Sequence, residues 1–243
     1  MQSLNLSEFF KAEFAEHRDV LQRTEAALQS AFAELVTACI TSIRGGGKLL
    51  FFGNGGSAAD AQHLAAELTI RYKNSRAPIA AIALTTDSST LTAAGNDFGF
   101  ERIFARQIEA LGKPGDIAIG ISTSGTSPNV IAGLKQAKAG GLVTVAFGGK
   151  GGGDLAAFAD HLLVVPSDTV ARIQEMHILL GQMLCGVSNR IQLRPPFASN
   201  IDPLKLGWSG LIHVVHRRAP RPTPRVSSRW RRRPWEVPVH PHG

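Results

Sequence analysis

Cysteine is scarce in this 243-residue chain: Cys39 and Cys185 are the only two, and each lies inside an apolar run. Two such thiols make no disulfide framework and predict buried, reduced side chains in a reducing compartment. Equally lacking is an uninterrupted apolar run approaching the roughly 20 residues that span a bilayer. The opening MQSLNLSEFFKAEF has no charged start followed by an apolar stretch. These absences argue against a membrane protein and a secreted one and predict a cytoplasmic location. There is no internal repeat.

Acidic residues are nearly missing from the last fifty positions. The chain carries 26 Lys+Arg against 19 Asp+Glu, a formal charge of +7. Residues 1–193 hold 16 basic and 17 acidic residues, a net of −1, whereas 194–243 hold 10 and 2, a net of +8. Nine of the 13 prolines and all three tryptophans (Trp208, Trp230, Trp235) fall in the same segment. Composition therefore predicts a folded domain over 1–193 and a basic tail over 194–243, with a boundary near Arg194-Pro195-Pro196. The spacing of the prolines forbids regular structure over most of the tail, which is expected to be disordered. Its RWRRRPW stretch (229–235) mixes cations with aromatics suited to phosphate and base contacts, so any nucleic-acid role is expected there alone. An extension of this composition also results from out-of-frame reading of GC-rich DNA.

Within 1–193 the periodicity changes once. Residues 4–44 place Leu21, Leu28, Phe32, Leu35, Val36, Ile40 and Ile43 at helical spacing up to Gly45-Gly46-Gly47, predicting one long or two shorter N-terminal helices. From Lys48 short apolar runs (48–53, 79–84, 116–122, 143–148 and 161–166) alternate with helical stretches around 57–72, 88–111, 128–139, 153–159 and 169–193. Runs that short, apolar on both faces, are strands of a parallel sheet covered by helices on each side. The expected fold is α/β, a doubly wound five-stranded sandwich.

Ligands of such sheets bind beyond the carboxyl ends of the strands. The first strand runs into GNGGSAADAQH, where glycines let the backbone approach a ligand and Ser57 sits at a helix start. That loop lacks the GxGxxG and GxxxxGKS/T spacings, so the usual nucleotide sites are not indicated. The third strand runs into STSGTSPN, and its hydroxyls at Ser122, Thr123, Ser124 and Ser127, before a helix opening at Pro128, make a phosphate cradle. A third loop, AAGNDFGF, adds Asn96 and Asp97, residues that turn formation explains equally well. His63 and Glu67 are four apart on one helix face and suit a metal or a proton transfer. Gln174, Glu175, His177 and Gln182 interrupt the last apolar helix, where polar groups must be exposed, paired or in a site.

Four ordered segments, GNGGSAADAQHLAAELTIRY (53–72), GNDFGF (95–100), GISTSGTSPNVI (120–131) and ARIQEMHILL (171–180), resemble the phosphoheptose isomerases of the sugar isomerase (SIS) domain class. The resemblance covers about residues 1–193. It implies a flavodoxin-like sandwich and the conversion of sedoheptulose 7-phosphate to D-glycero-D-manno-heptose 7-phosphate for ADP-heptose and lipopolysaccharide synthesis. It also implies a cytoplasmic homotetramer, with residues 1–44 packed between subunits, and one zinc ion per subunit. By the same resemblance Asn54, Gly55, Gly56, Asn96, Asp97 and Gln174 contact the sugar, while Ser122, Thr123, Ser124 and Ser127 hold the phosphate. Glu67 matches the catalytic carboxylate, and His63, Glu67, Gln174 and Gln182 stand at the metal positions. Gln182 departs from the family, which commonly has there a histidine that completes the metal site and serves as acid. The resemblance also reaches SIS-domain proteins that bind the replication initiator DnaA or sense a sugar phosphate without turnover. Glu67, which the DnaA-binding class loses, favours the enzyme.

Overall fold

The computed structural model describes residues 5–192; the predicted tail at 194–243 lies outside the described residues. Asn5 caps the first helix by accepting the Glu8 N–H at 3.3 Å. That helix, α1 (Leu6–Arg44), is one continuous element of 39 residues. By length and composition α1 is apolar enough to cross a membrane, although it holds no uninterrupted apolar run of that length. Gln29, Ser30, Glu34, Thr37 and Thr41 interrupt its apolar residues without breaking the helix. Its buried residues Val20, Thr24, Leu28, Leu35, Cys39 and Ser42 recur at three, four and seven, a single stripe laid on the domain.

Strands β1 (Leu49–Gly53), β2 (Ala81–Ala83), β3 (Ile117–Ser122), β4 (Val143–Gly148) and β5 (His161–Val164) form one sheet in the order β2-β1-β3-β4-β5. Every neighbouring pair is parallel. Alternate residues of each strand feed two cores, as a doubly covered sheet requires. Leu49, Phe51, Ile119 and Phe147 pack with Leu35 and Cys39 of α1 and with helices α2 (Gly56–Thr69) and α6 (Val170–Gln192). Leu50, Phe52, Ala118 and Ala146 pack on the other face against α3 (Ser88–Phe98), α4 (Ile103–Leu111) and α5 (Pro128–Ala139).

Three expected boundaries shift. The stretch 88–111 is two helices, because Gly99 at φ +84° breaks it and a 3-10 turn (Phe100–Arg102) re-aims the chain. The stretch 153–159 belongs to a 3-10 segment (Lys150–Ala157) whose glycines take non-helical angles. Of the run 79–84 only Ala81–Ala83 forms a strand, at the sheet edge with Ile82 exposed.

His177 shows how α6 is tied to the sheet. Its ring is fully buried, 5.8 Å from the Phe147 ring between centroids. A carbonyl only accepts, so its Nε2–H donates to Gly148 O at 3.0 Å, leaving Nδ1 without a partner. Burial, against the pull of that bond, lowers its pKa to about 4. The unfolded chain therefore binds a proton below its ordinary value near 6.5 that the folded chain refuses. Stability contributed by neutral His177 is fully present above pH 6.5 and is lost as the pH falls toward 4. In urea melts between pH 7 and pH 4.5, His177→Gln should flatten this dependence; an equal slope in parent and variant would assign it to other groups.

Candidate active site

The site forms where the chain leaves β1 and β3. At β1 the exit passes so close to its neighbour that a Cβ on Gly53 would sit 2.7 Å from Ile121 O and 2.8 Å from Ser57 Cβ. Gly55, at φ +55°, is the N-cap of α2, with no side-chain cap bond. The helix therefore starts at Gly56, one residue before the expected start at Ser57, and Ser57 is buried within its first turn. A side recess of about 180 Å³ opens beside this loop, lined by Asn54, Gly55, Thr85, Leu91 and Phe100 among others.

The β3 exit carries the hydroxyls. Ser122 Oγ lies 2.9 Å from Ser127 Oγ and 3.4 Å from Ser124 Oγ, and accepts the Gly125 N–H at 3.2 Å. Ser127 is the N-cap of α5, but its side chain makes no cap bond. Its hydroxyl joins the serine cluster instead, around a helix end whose dipole favours an anion. Thr123 lies half-buried in the same loop. The two exits are locked together by a reciprocal amide pair: Asn54 Nδ2–H donates to Asn129 Oδ1 and Asn129 Nδ2–H to Asn54 Oδ1, both at 2.8 Å. Asn129 also accepts the Val130 N–H. Sequence reading passed over Asn129, although a buried Asn directly after Ser-Pro at a loop exit is its signal.

Helices α2 and α6 lie side by side. Gly56 of α2 meets the Gln174 side chain, Leu64 meets Gly181, and a Cβ on Gly186 would sit 3.1 Å from Tyr72 Cε1, so the two helices advance in the same direction. This brings Gln182 Nε2 to 3.1 Å from His63 Nε2, itself 3.3 Å from Glu67 Oε1. His63, Glu67 and Gln182 thus converge, while Gln174 rests on the first turn of α2 with no hydrogen bond to those three. Asn96 and Asp97 sit on the last turn of α3, not in a loop, and pair with each other at 2.8 Å.

Two further groups escaped the sequence. Asp60, one turn before His63, has a buried Oδ2 with no hydrogen-bond partner; burial raises its pKa against the pull of His63. Arg76 donates to Glu67 O and Leu68 O, both at 2.8 Å, satisfying carbonyls at the α2 C-terminus. His177, in the core and bonded to Gly148, does not face the His63 cluster as a replacement acid. Among the described residues no three His, Cys, Asp or Glu gather as a metal cluster. The donors are one imidazole, one carboxylate and an amide, a set that suits a weakly held divalent cation once the Gln182 oxygen faces inward.

A family model for the SIS domain matches residues 14–149. The phosphoheptose isomerase of Paramagnetospirillum magneticum is 59% identical over 182 residues, 75% of this chain and 95% of that one. The solved phosphoheptose isomerase of Neisseria gonorrhoeae is 44% identical with a TM-score of 0.71, over 76% of this chain and 99% of the other. For that of Francisella tularensis the figures are 36% and 0.75, over 77% and 100%.

The chain belongs to the SIS-domain phosphoheptose isomerases.

It is an aldose-ketose isomerase acting on sedoheptulose 7-phosphate, and a non-catalytic DnaA-binding role is not favoured. A phosphoheptose isomerase must hold a charged end and a reacting end at a set separation, and the Asn54–Asn129 pair joins the loops that would do so. Asn129→Ala leaves the Asn54 amide unpaired, at about 1–3 kcal/mol. The expected result is a fall of about tenfold in kcat/KM with the chain still folded; parent-like kcat/KM would sink the clamp.

Proposed function

We propose that Glu67 is the base of the isomerisation, with the Ser122–Ser127 loop as the phosphate grip. The observations that carry this are the convergence of Glu67, His63 and Gln182 where α2 and α6 run side by side, and a serine cluster at the N-terminus of α5. Turning a 2-ketose into an aldose moves a proton from C1 to C2 through an enediol. Glu67 takes the C1 proton, and the same carboxyl returns a proton to C2 while the hydroxyl protons exchange between O1 and O2. Ser122, Thr123, Ser124 and Ser127, with the first-turn amides of α5, hold the phosphate far from C1 and C2, so binding energy is used to orient the reacting end. Asn54, Gly55, Gly56, Asn96, Asp97 and Gln174 surround the sugar in this reading.

His63, Glu67 and Gln182 would hold a zinc ion, with Gln174 as a further donor. When bound it would supply a positive charge for the oxyanion that develops at the carbonyl. An amide coordinates more weakly than an imidazole, so zinc affinity in this chain is expected to lie below that of a relative with histidine at this place. The acid that handles the oxygen protons is left to a group other than Gln182, whose amide does not titrate near neutral pH.

The assembly proposed is a homotetramer built through α1. Leu6, Phe9, Phe10 and Phe14 are exposed there, and a groove of about 470 Å³ between α1 and α6 is lined by Leu21, Leu28, Phe32, Leu179 and Met183 among others. A second copy would cover such a surface. Sedimentation velocity reads this directly, and a monomer at micromolar concentration would refute it. A cytoplasmic location is part of this reading, supported by two buried, unpaired thiols that need no oxidising compartment. The product would supply ADP-heptose and lipopolysaccharide synthesis.

The decisive experiment is a coupled isomerase assay on the full chain with zinc supplied. Glu67→Gln should lower kcat by about 10²–10⁴-fold while substrate still protects the protein in thermal melts. Turnover that survives Glu67→Gln would remove Glu67 from the role of base.

A further inference from the structure

One glycine-rich loop has no task in this scheme. After β4 ends at Gly148, four successive residues take positive φ: Lys150 (+50°), Gly151 (+77°), Gly152 (+89°) and Gly153 (+52°). A chain reversal needs one or two such residues, and Lys150 adopts this region without the freedom of glycine.

The loop lies backbone to backbone on the serine loop. A Cβ on Gly125, itself at φ +72°, would land on the Gly152 carbonyl and 2.8 Å from Gly153 N. In return, a Cβ on Gly153 would sit 2.7 Å from both the carbonyl carbon and oxygen of Gly125 and 3.0 Å from Ser124 O. Asp154 N–H crosses the contact to donate to Gly125 O at 3.0 Å. The Gly125 N–H meanwhile donates to Ser122 Oγ. Gly125 is therefore gripped from both ends, by the hydroxyl cluster on one side and by the second loop on the other. Behind that loop stands β5, since a Cβ on Gly152 would come within 2.9 Å of Val164 Cγ2.

We propose that the loop 149–154 is a buttress that sets the spacing of the Ser122, Ser124 and Ser127 hydroxyls, and through them the affinity for the phosphate end of the substrate. Gly125 and Gly153 are positioning residues, since they act through the serines. The proposal rests on the reading of 122–127 as the phosphate grip. Its consequence is that a methyl group added beyond the reach of the substrate weakens phosphate binding while the Glu67 end is left alone.

The test uses full-length variants, kcat and KM for sedoheptulose 7-phosphate in the coupled assay, and thermal melts. Gly153→Ala is expected to raise KM by about tenfold or more with kcat within about threefold of the parent. Asp154→Pro removes the N–H given to Gly125 and should raise KM in the same way; it stands in where Gly153→Ala does not yield folded protein. Gly151→Ala is the control for strain. An added Cβ there meets nothing within 4 Å, but it carries the same positive-φ penalty. Its KM should stay within about twofold of the parent. An unchanged KM in Gly153→Ala and Asp154→Pro overturns the buttress, as does an equal KM rise in Gly151→Ala. Ser124→Ala and Ser127→Ala separate the two levels. If they leave KM unchanged, the phosphate grip falls and the buttress with it; if they raise KM while Gly153→Ala does not, the buttress alone falls.

Discussion

β1 and β3 are neighbours in the sheet, yet the chain leaves them in opposite directions, from β1 outward to β2 at one edge and from β3 onward to β4 and β5. Their carboxyl ends therefore flank a crevice that no crossover covers, the place where open parallel sheets bind ligands. Everything chemical in this molecule depends on how closely the two exits run there. The absence of a side chain at Gly53 lets β1 pass against Ile121, and the Asn54–Asn129 pair then fixes one loop relative to the other. Two amides answering each other in a half-buried place satisfy four hydrogen-bonding groups at once, so the clamp has little alternative geometry.

From this crevice α2 and α6 lead inward in parallel. Small residues at the contact, Gly56 under Gln174 and Gly181 under Leu64, allow the helices to approach until His63 and Gln182 are within hydrogen-bonding distance. The Glu67 carboxylate is placed by a helix, not a loop, and Arg76 stiffens the end of that helix by occupying its terminal carbonyls. The neutral His177 performs the matching task for α6, tying it to the last residue of β4.

The start of α6 is also tied to α1. Buried Arg172 donates to Glu13 O at 2.7 Å and to Glu13 Oε2 at 3.1 Å, and also pairs with Glu175 Oε1 at 3.0 Å. The other Glu175 oxygen meets His17 Nδ1 at 2.7 Å. Such a buried cation is stable only while its partners stay, so the network contributes more to the register of the two helices than to net stability. Gln174 lies between Arg172 and Glu175 in sequence, and the register of α1 thereby bears on the first turn of α2.

Much of this was legible in residue order. Short apolar runs bounded by Gly, Asp and Ser announced five parallel strands, because a strand buried on both faces admits nothing else, and the hydroxyl-rich and glycine-rich exits marked the loops that the structure brings together. Spacing alone also put His63 and Glu67 on one face. What it could not supply was anything that depends on two distant segments touching. The pairing of Asn129 with Asn54, the Arg76 grip on Glu67, the orphaned Asp60 oxygen and the seating of Gly153 on Gly125 join positions that no local period relates. Periodicity likewise ran 88–111 together, since it cannot register that Gly99 turns the chain away. Composition and pattern determined that this chain folds as a sandwich with a polar carboxyl edge. Only the tertiary structure decided which of those polar groups meet, because hydrogen bonds across the crevice are set by close backbone approach, and that depends on which side chains are absent at the crossing points.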